Sequence, residues 1–317
     1  MAQVLAKARR LAAGFAVVAL CVLLILSAMN LALWRLDLAD CPVFETNPDY
    51  GYLAKPEQIV STRGRKFHIN NLGLRGADLT GTVPPGTKRI AFIGDSVTFA
   101  GGTVYDRQEF VNVAARLLED FTGEKFETVN ISAPGWGIQN IDGYIRDKGI
   151  HGSKLVIWVL PIEDFRRSKT TVTTFGHLPT RKYPFRVCCV LETIRTGFVG
   201  SLRSVLLRRR KPTSVDSQRV LTANLEAFRD ALSRVVSQGA IVNVVFLPEG
   251  DAQPASDPIA LASYQHLATL LGATTCDLGP EIARHGGGAV FYDGIHLNPV
   301  GHEIVGKLIA SCVESSE

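Results

Sequence analysis

From Leu11 to Trp34 the chain reads LAAGFAVVALCVLLILSAMNLALW, about two dozen residues without a charge, enough to span a bilayer and long for a signal peptide. Residues 35 to 87 then lose all periodicity and hold Pro, Gly and Asn in NPDYGYLAKP, INNLGLRG and TVPPGTK. They read as an extended pre-domain segment, able to wrap onto the main domain, with VPPG as its last linker. From Lys88 the pattern changes. RIAFIGDS, ETVNISAPGWG, GSKLVIWVLPIED and AIVNVVFLP are strands, and the continuous apolar runs among them suit a parallel sheet covered on both faces. EFVNVAARLLEDF has apolar residues at helical spacing. VLTANLEAFRDALSRVVSQG is an amphipathic helix with Gly239 as its stop. PIALASYQHLATLLG is a further helix, ATTCDLG a short strand, and NPVGHEIVGKLIASCV a closing helix that Pro299 helps to begin. This alternation implies an α/β fold with a doubly wound parallel sheet, whose ligands bind at the carboxyl ends of the strands. Between about 166 and 217 the alternation stops in a basic insert containing FRRSK, TRKYPFR and LLRRRKP.

Composition adds bounds. At 317 residues the chain holds one large domain with appendages, and a net charge of +4 with 8% aromatic residues indicates neither disorder nor a nucleic-acid partner. Lys7, Arg9 and Arg10 precede the apolar run, so the N-terminus stays cytoplasmic and everything after Trp34 is exported. No small-x-small cleavage site closes the run, which favours a retained anchor. LADC before Pro42 has a faint likeness to a lipoprotein signal, but Asp40 and the distance from the apolar run argue against it. The expected organisation is a cytoplasmic 1–10, an anchor over 11–34, the segment 35–87 and a main domain over 88–317. The basic insert is either a solvated surface excursion, a lid, or a patch that meets anionic lipid or polymer. Six cysteines do not make a disulfide scaffold at this length. Cys21 lies in the anchor, and Cys188 and Cys189 are too close to pair with each other. Cys276 and Cys312 pair if exported or stay as buried thiols. No His/Cys spacing suits zinc, and no cofactor is called for.

Candidate chemistry starts at Gly94-Asp95-Ser96, where a strand ends on a tight corner. A serine is unreactive without a base. The end of the chain supplies one: YDGIHLNPVGH places Asp293 three residues before His296, so one turn can hold both. The imidazole then accepts the serine proton while the carboxylate fixes its tautomer. His302, among ordinary helix residues, reads as packing.

These residues resemble the SGNH hydrolases, also called GDSL esterases and lipases. The likeness covers Lys88 to about Ser311 and rests on GDSVTF, NISAPGWG and DGIHLNPVGH. The chain also looks like the bacterial membrane-anchored branch, in which NNLGLRG often precedes the serine block. The resemblance implies a three-layer, flavodoxin-like sheet, Ser96 as nucleophile, His296 as base and Asp293 as its orienter. It implies an oxyanion hole from the backbone N–H groups of Ser96 and Gly135. A third oxyanion donor in the family is an Asn, and here Glu163 of Pro161-Ile162-Glu163-Asp164 takes its place. An ionised carboxylate donates nothing, so three outcomes are open. Glu163 is protonated and donates, it points away, or the protein is a weak or inactive relative that binds acylated ligands. The leading expectation is a single-pass inner-membrane serine esterase with a periplasmic domain, acting on O-acyl groups of a carbohydrate or lipid ester. An acyltransferase and a non-catalytic polymer-binding factor are the alternatives.

Overall fold

Helix α1 (Ala2–Arg35) begins the chain, and the most apolar stretch within Leu5–Arg35 has a mean hydropathy of 2.7, with none of that stretch buried. By length and composition it is a candidate membrane span. The computed structural model describes residues 1–174, 178–206, 214–248, 250 and 257–315, with backbone alone at 2, 4, 8, 197–206, 214 and 215. The Arg208–Lys211 part of the basic insert lies outside the described residues.

Residues 35–87 are not the extended run their composition suggests. They fold into two antiparallel hairpins, β1 (Phe44–Asn47) with β2 (Gly51–Ala54) and β3 (Gln58–Thr62) with β4 (Arg65–Ile69). Their apolar residues are too sparse to show a period, yet Phe44, Tyr52, Phe67 and Ile69 are buried in the same core as the main sheet. The hydrophobic core therefore starts well before Lys88.

The main sheet has five parallel strands: β5 (Thr87–Gly94), β6 (Lys125–Ser132), β7 (Leu155–Pro161), β8 (Ile241–Leu247) and β9 (Thr274–Asp277). Their order is β6-β5-β7-β8-β9, with Gly94 beside Ser132 and Ile93 beside Trp158 in register. Between them lie α2 (Ser96–Phe99), α3 (Phe110–Thr122), α4 (Ile138–Lys148), α5 (Arg186–Leu206), α6 (Ser214–Ser237) and α7 (Pro258–Leu270), and after β9 come α8 (Gly279–Arg284) and α9 (Pro299–Glu314). One face of the sheet packs on α4, α6, α7 and the hairpins, and the other on α3, α8 and α9, so the domain has three layers. This is the doubly wound α/β arrangement expected from the alternation. The continuous apolar strands are covered on both sides, as Ile157, Trp158, Val159, Val244 and Val245 show. Two disulfides, Cys41–Cys189 and Cys276–Cys312, tie the hairpin segment to α5 and β9 to α9.

Arg75, from NNLGLRG, links the hairpins to the sheet edge through bridges to Ile69 and Asn130. Its guanidinium is buried and donates to Phe99 O at 2.9 Å, Val104 O at 3.0 Å and Asp106 Oδ1 at 3.0 Å. Buried Glu109 lies 3.6 Å from Arg75 Nε and accepts from Asn130 Nδ2 at 2.6 Å. Burial pushes the Glu109 pKa up to about 8, against the pull of Arg75. A carboxyl whose folded pKa is raised adds stability below its unfolded pKa, and that contribution is lost as pH rises through about 8. The full chain in detergent should lose thermal stability between weakly acidic and alkaline pH, and Glu109→Gln should remove that loss. Parallel melting curves for the two proteins would contradict this.

Candidate active site

The corner after β5 is built by three residues with separate tasks. A Cβ on Gly94 would lie 2.1 Å from Thr98 Oγ1 and 3.0 Å from Val159 O, so only glycine lets α2 fold back over the strand end. Asp95 is fully buried and caps α2 by accepting from Val97 N at 2.8 Å. Ser96 then opens the helix with its hydroxyl toward a cleft. Arg75 holds the far end of the same turn at Phe99 O.

Asp293 and His296 sit in the loop before α9. Asn298 caps that helix from Gly301 N at 2.9 Å, and Tyr292 N donates to His296 O at 2.7 Å, which fixes the loop. Asp293 Oδ1 accepts from the backbone N–H groups of His296 at 2.8 Å and Ile295 at 3.2 Å. Its other oxygen lies 2.9 Å from His296 Nδ1, and His296 Nε2 lies 3.0 Å from Ser96 Oγ. The structure thus brings Ser96, His296 and Asp293 into one hydrogen-bonded line, 200 residues apart in sequence at the Ser96–His296 link. Partial burial pushes the Asp293 pKa up, but the bonds from His296 and Ile295 outweigh it and hold the carboxyl below its usual range. An ionised Asp293 orients the imidazole with Nδ1–H toward itself and leaves Nε2 to accept from the serine. His302 stays outside this line. It is buried between Thr103 and Phe110, and desolvation lowers its pKa to about 3, so it packs as a neutral ring.

Ser96, Pro134 and His296 line two arms of one cleft. The first, of about 340 Å³, is walled largely by apolar residues including Pro42, Phe44, Phe67 and Leu178. The second, of about 460 Å³, is lined by Gly135, Glu163, Arg167, Lys169 and Thr170. Gly135 takes φ of +76°, a left-handed backbone that favours glycine. Its loop is braced from the hairpin segment. The Tyr52 hydroxyl donates to Pro134 O, Trp136 Nε1 donates to Tyr52 O at 3.0 Å, and Thr170 Oγ1 donates to Gly135 O at 2.9 Å.

Glu163 lines the second arm, so it does not leave the site. Arg167 answers its charge: Nη2 donates to Glu163 Oε1 at 2.8 Å. The same guanidinium approaches Asp95 Oδ2 at 3.3 Å, Trp136 O at 3.3 Å and Asp164 Oδ1 at 3.1 Å. Burial works against the charge of Arg167, and Asp164, Asp95 and Glu163 together more than offset it. Burial and the neighbouring Asp95 raise Asp164 well above the usual carboxylate range, with Arg167 opposing them. Sequence reasoning missed Tyr52, Arg75, Arg167 and Thr170. Arg75 alone carried a signal, in NNLGLRG.

No family model and no curated protein matches the chain. Among solved structures it is similar to a lipase/acylhydrolase from Enterococcus faecalis, at 16% identity and a TM-score of 0.44, over 72% of this chain and 96% of that one. It is also similar to an acetyl xylan esterase from Geobacillus stearothermophilus, at 13% identity and a TM-score of 0.46, over 71% and 94%. An esterase from Pseudoalteromonas is similar at 10% identity and a TM-score of 0.44, over 72% and 98%. Similarity at this level does not extend to activity. Five parallel strands in the order β6-β5-β7-β8-β9, with the Gly-Asp-Ser corner and the Asp-x-x-His turn meeting at one end of the sheet, make the three-layer, doubly wound α/β fold that the resemblance to the SGNH hydrolases implies.

Proposed function

We propose that the chain is a membrane-anchored serine esterase that removes O-acyl groups, chiefly acetyl, from a carbohydrate or lipid ester outside the cytoplasmic membrane. The observation that carries the reading is the hydrogen-bonded line from Asp293 through His296 to Ser96. Ser96 Oγ attacks the ester carbonyl as its proton passes to His296 Nε2. The carbonyl oxygen becomes an oxyanion, which the Ser96 and Gly135 N–H groups receive. The intermediate collapses to an acyl-serine, and His296 returns the proton to the departing alcohol. Water then attacks the acyl-serine by the same route in reverse roles, which frees the carboxylic acid and restores Ser96.

The anchor and export readings are supported by α1, by Lys7, Arg9 and Arg10 before it, and by the two disulfides, which suit an oxidising compartment. Turnover of a short-chain aryl ester by the full chain in detergent tests the activity. Wild type should release the phenol and Ser96→Ala should not. A second reading is transfer of the acyl group to a sugar hydroxyl, which would take the place of water in attacking the same acyl-serine. Added carbohydrate acceptor would then speed phenol release and appear as acylated sugar, whereas the hydrolase reading gives free acid alone.

A further inference from the structure

Helix α5, within the basic insert, is pinned to the base of α1. Arg186 N donates to Asn30 Oδ1 at 2.8 Å, and Arg186 Nη1 donates to Leu33 O at 2.9 Å and Leu38 O at 3.2 Å. One turn on, Cys189 is joined to Cys41. The stripe of α1 that α5 partly covers is Leu26, Asn30 and Leu33, at helical spacing. A hydrocarbon core takes about 20 helical residues, so a span that starts at Leu11 ends near Asn30. The start of α5 is therefore held at the level where α1 leaves the membrane.

The outward side of this region carries large exposed apolar side chains, with Arg195 exposed among them. Leu191 is 53% exposed and Ile194 62%, and they lie three residues apart on one side of α5. Phe185 just before the helix, and Trp34 and Leu36 at the end of α1, are exposed as well. Arg181 and Lys182 are exposed beside them. Apolar side chains with flanking cations are the pattern of a surface that lies in a membrane interface, the cations meeting lipid phosphates.

We propose that the Phe185–Ile194 face rests on the outer leaflet of the bilayer that α1 crosses, as a second membrane contact. The proposal rests on the anchor reading of α1. Its consequence concerns the cleft. Thr193 of α5, with Asp40, Cys41 and Pro42, lines the apolar arm beside Ser96 and His296. Asp40 lies five residues after Arg35, so even fully extended chain puts this wall within about 17 Å of the end of α1. The contact thus fixes the Ser96 cleft at the membrane surface, presented to esters held there and not to polymer far out in solution.

The test uses the full chain with Cys21→Ser and Cys188→Ser, which removes the two free thiols among the described residues and keeps both disulfides. Single cysteines at Leu191, Ile194, Val18 and Lys307 carry a bimane fluorophore. Lys307, exposed on α9, is the control, and Val18 lies within α1. The labelled proteins are reconstituted in phosphatidylcholine vesicles with a minority of phosphatidylglycerol, with and without lipid spin-labelled near the headgroup or in mid-chain. Leu191 and Ile194 should be quenched by the headgroup-proximal label about twofold more than Lys307, as for a face sunk about 5–10 Å into the interface. Val18 should be quenched by the mid-chain label. If Val18 is quenched while Leu191 and Ile194 match Lys307, the anchor stands and this proposal is overturned. If Val18 is not quenched, α1 does not cross the bilayer and both readings fall.

Discussion

Ser96→Ala and His296→Ala should each lower kcat on a short-chain aryl ester by about 10⁶-fold, the scale known for a nucleophile or base in a serine hydrolase. The double variant should be little worse than either. His296 Nε2 lies 3.0 Å from Ser96 Oγ, and without one of the pair the other has no proton to take or give. Asp293→Asn should cost roughly 10⁴-fold. The Asn amide oxygen can still accept from the two backbone N–H groups that Asp293 Oδ1 now holds, so the loop keeps its place, but an amide no longer selects the tautomer with Nδ1–H. Full steady-state kinetics for wild type and the four variants check this. Multiplying losses in the double variant, or full turnover by Ser96→Ala, would show that the three residues do not act as one unit.

The second large effect concerns the carboxylate of Glu163, which stands where the SGNH hydrolases the sequence resembles have an Asn. Glu163 is on the cleft wall, and the Arg167 guanidinium bonds it at 2.8 Å. Arg167→Gln removes the cation that Glu163, Asp95 and Asp164 share, in a pocket where Asp95 and Asp164 are fully buried. A negative charge beside a developing oxyanion opposes the transition state. The loss in kcat/KM should reach about 10²-fold, the lower end of the cost of one oxyanion donor. Glu163→Asn removes the charge and restores a side-chain donor, so kcat/KM should rise about tenfold. Glu163→Gln keeps the length and loses the charge, which separates charge from reach. Placed in Arg167→Gln, it should recover part of the lost rate, because the pair is coupled. Strictly additive effects would mean that the pair acts on folding and not on the site.

The parts of the molecule that were legible in the sequence share one property: their signal is local. β5, β7 and β8 announce themselves because a strand covered on both faces needs an unbroken apolar run, as Leu155–Pro161 has. Helix α9 has its start signals in Asn298 and Pro299. Asp293 and His296 are visible because one turn holds both. The hairpins before Lys88 were not legible, since strands of four or five residues are too short to show a period. Arg167 was passed over as one of many basic residues in the insert, although its carboxylate partners are Asp95, Glu163 and Asp164. Tyr52 supports the Gly135 loop from 82 residues away, and nothing near it in sequence marks that task. The Cys41–Cys189 bridge spans 148 residues, and cysteine spacing carries no connectivity over such a distance. Long-range polar contacts assemble this site, and they belong to the folded chain.

The central claim is that Ser96 is a nucleophile activated by His296. The most direct measurement is reaction of the full chain in detergent with a serine-directed phosphonate ester, followed by peptide mapping of the adduct. The account predicts one phosphonyl group, on Ser96, with labelling abolished in Ser96→Ala and slowed by orders of magnitude in His296→Ala. An adduct on another serine, or labelling of Ser96 at the same rate in His296→Ala, would contradict it.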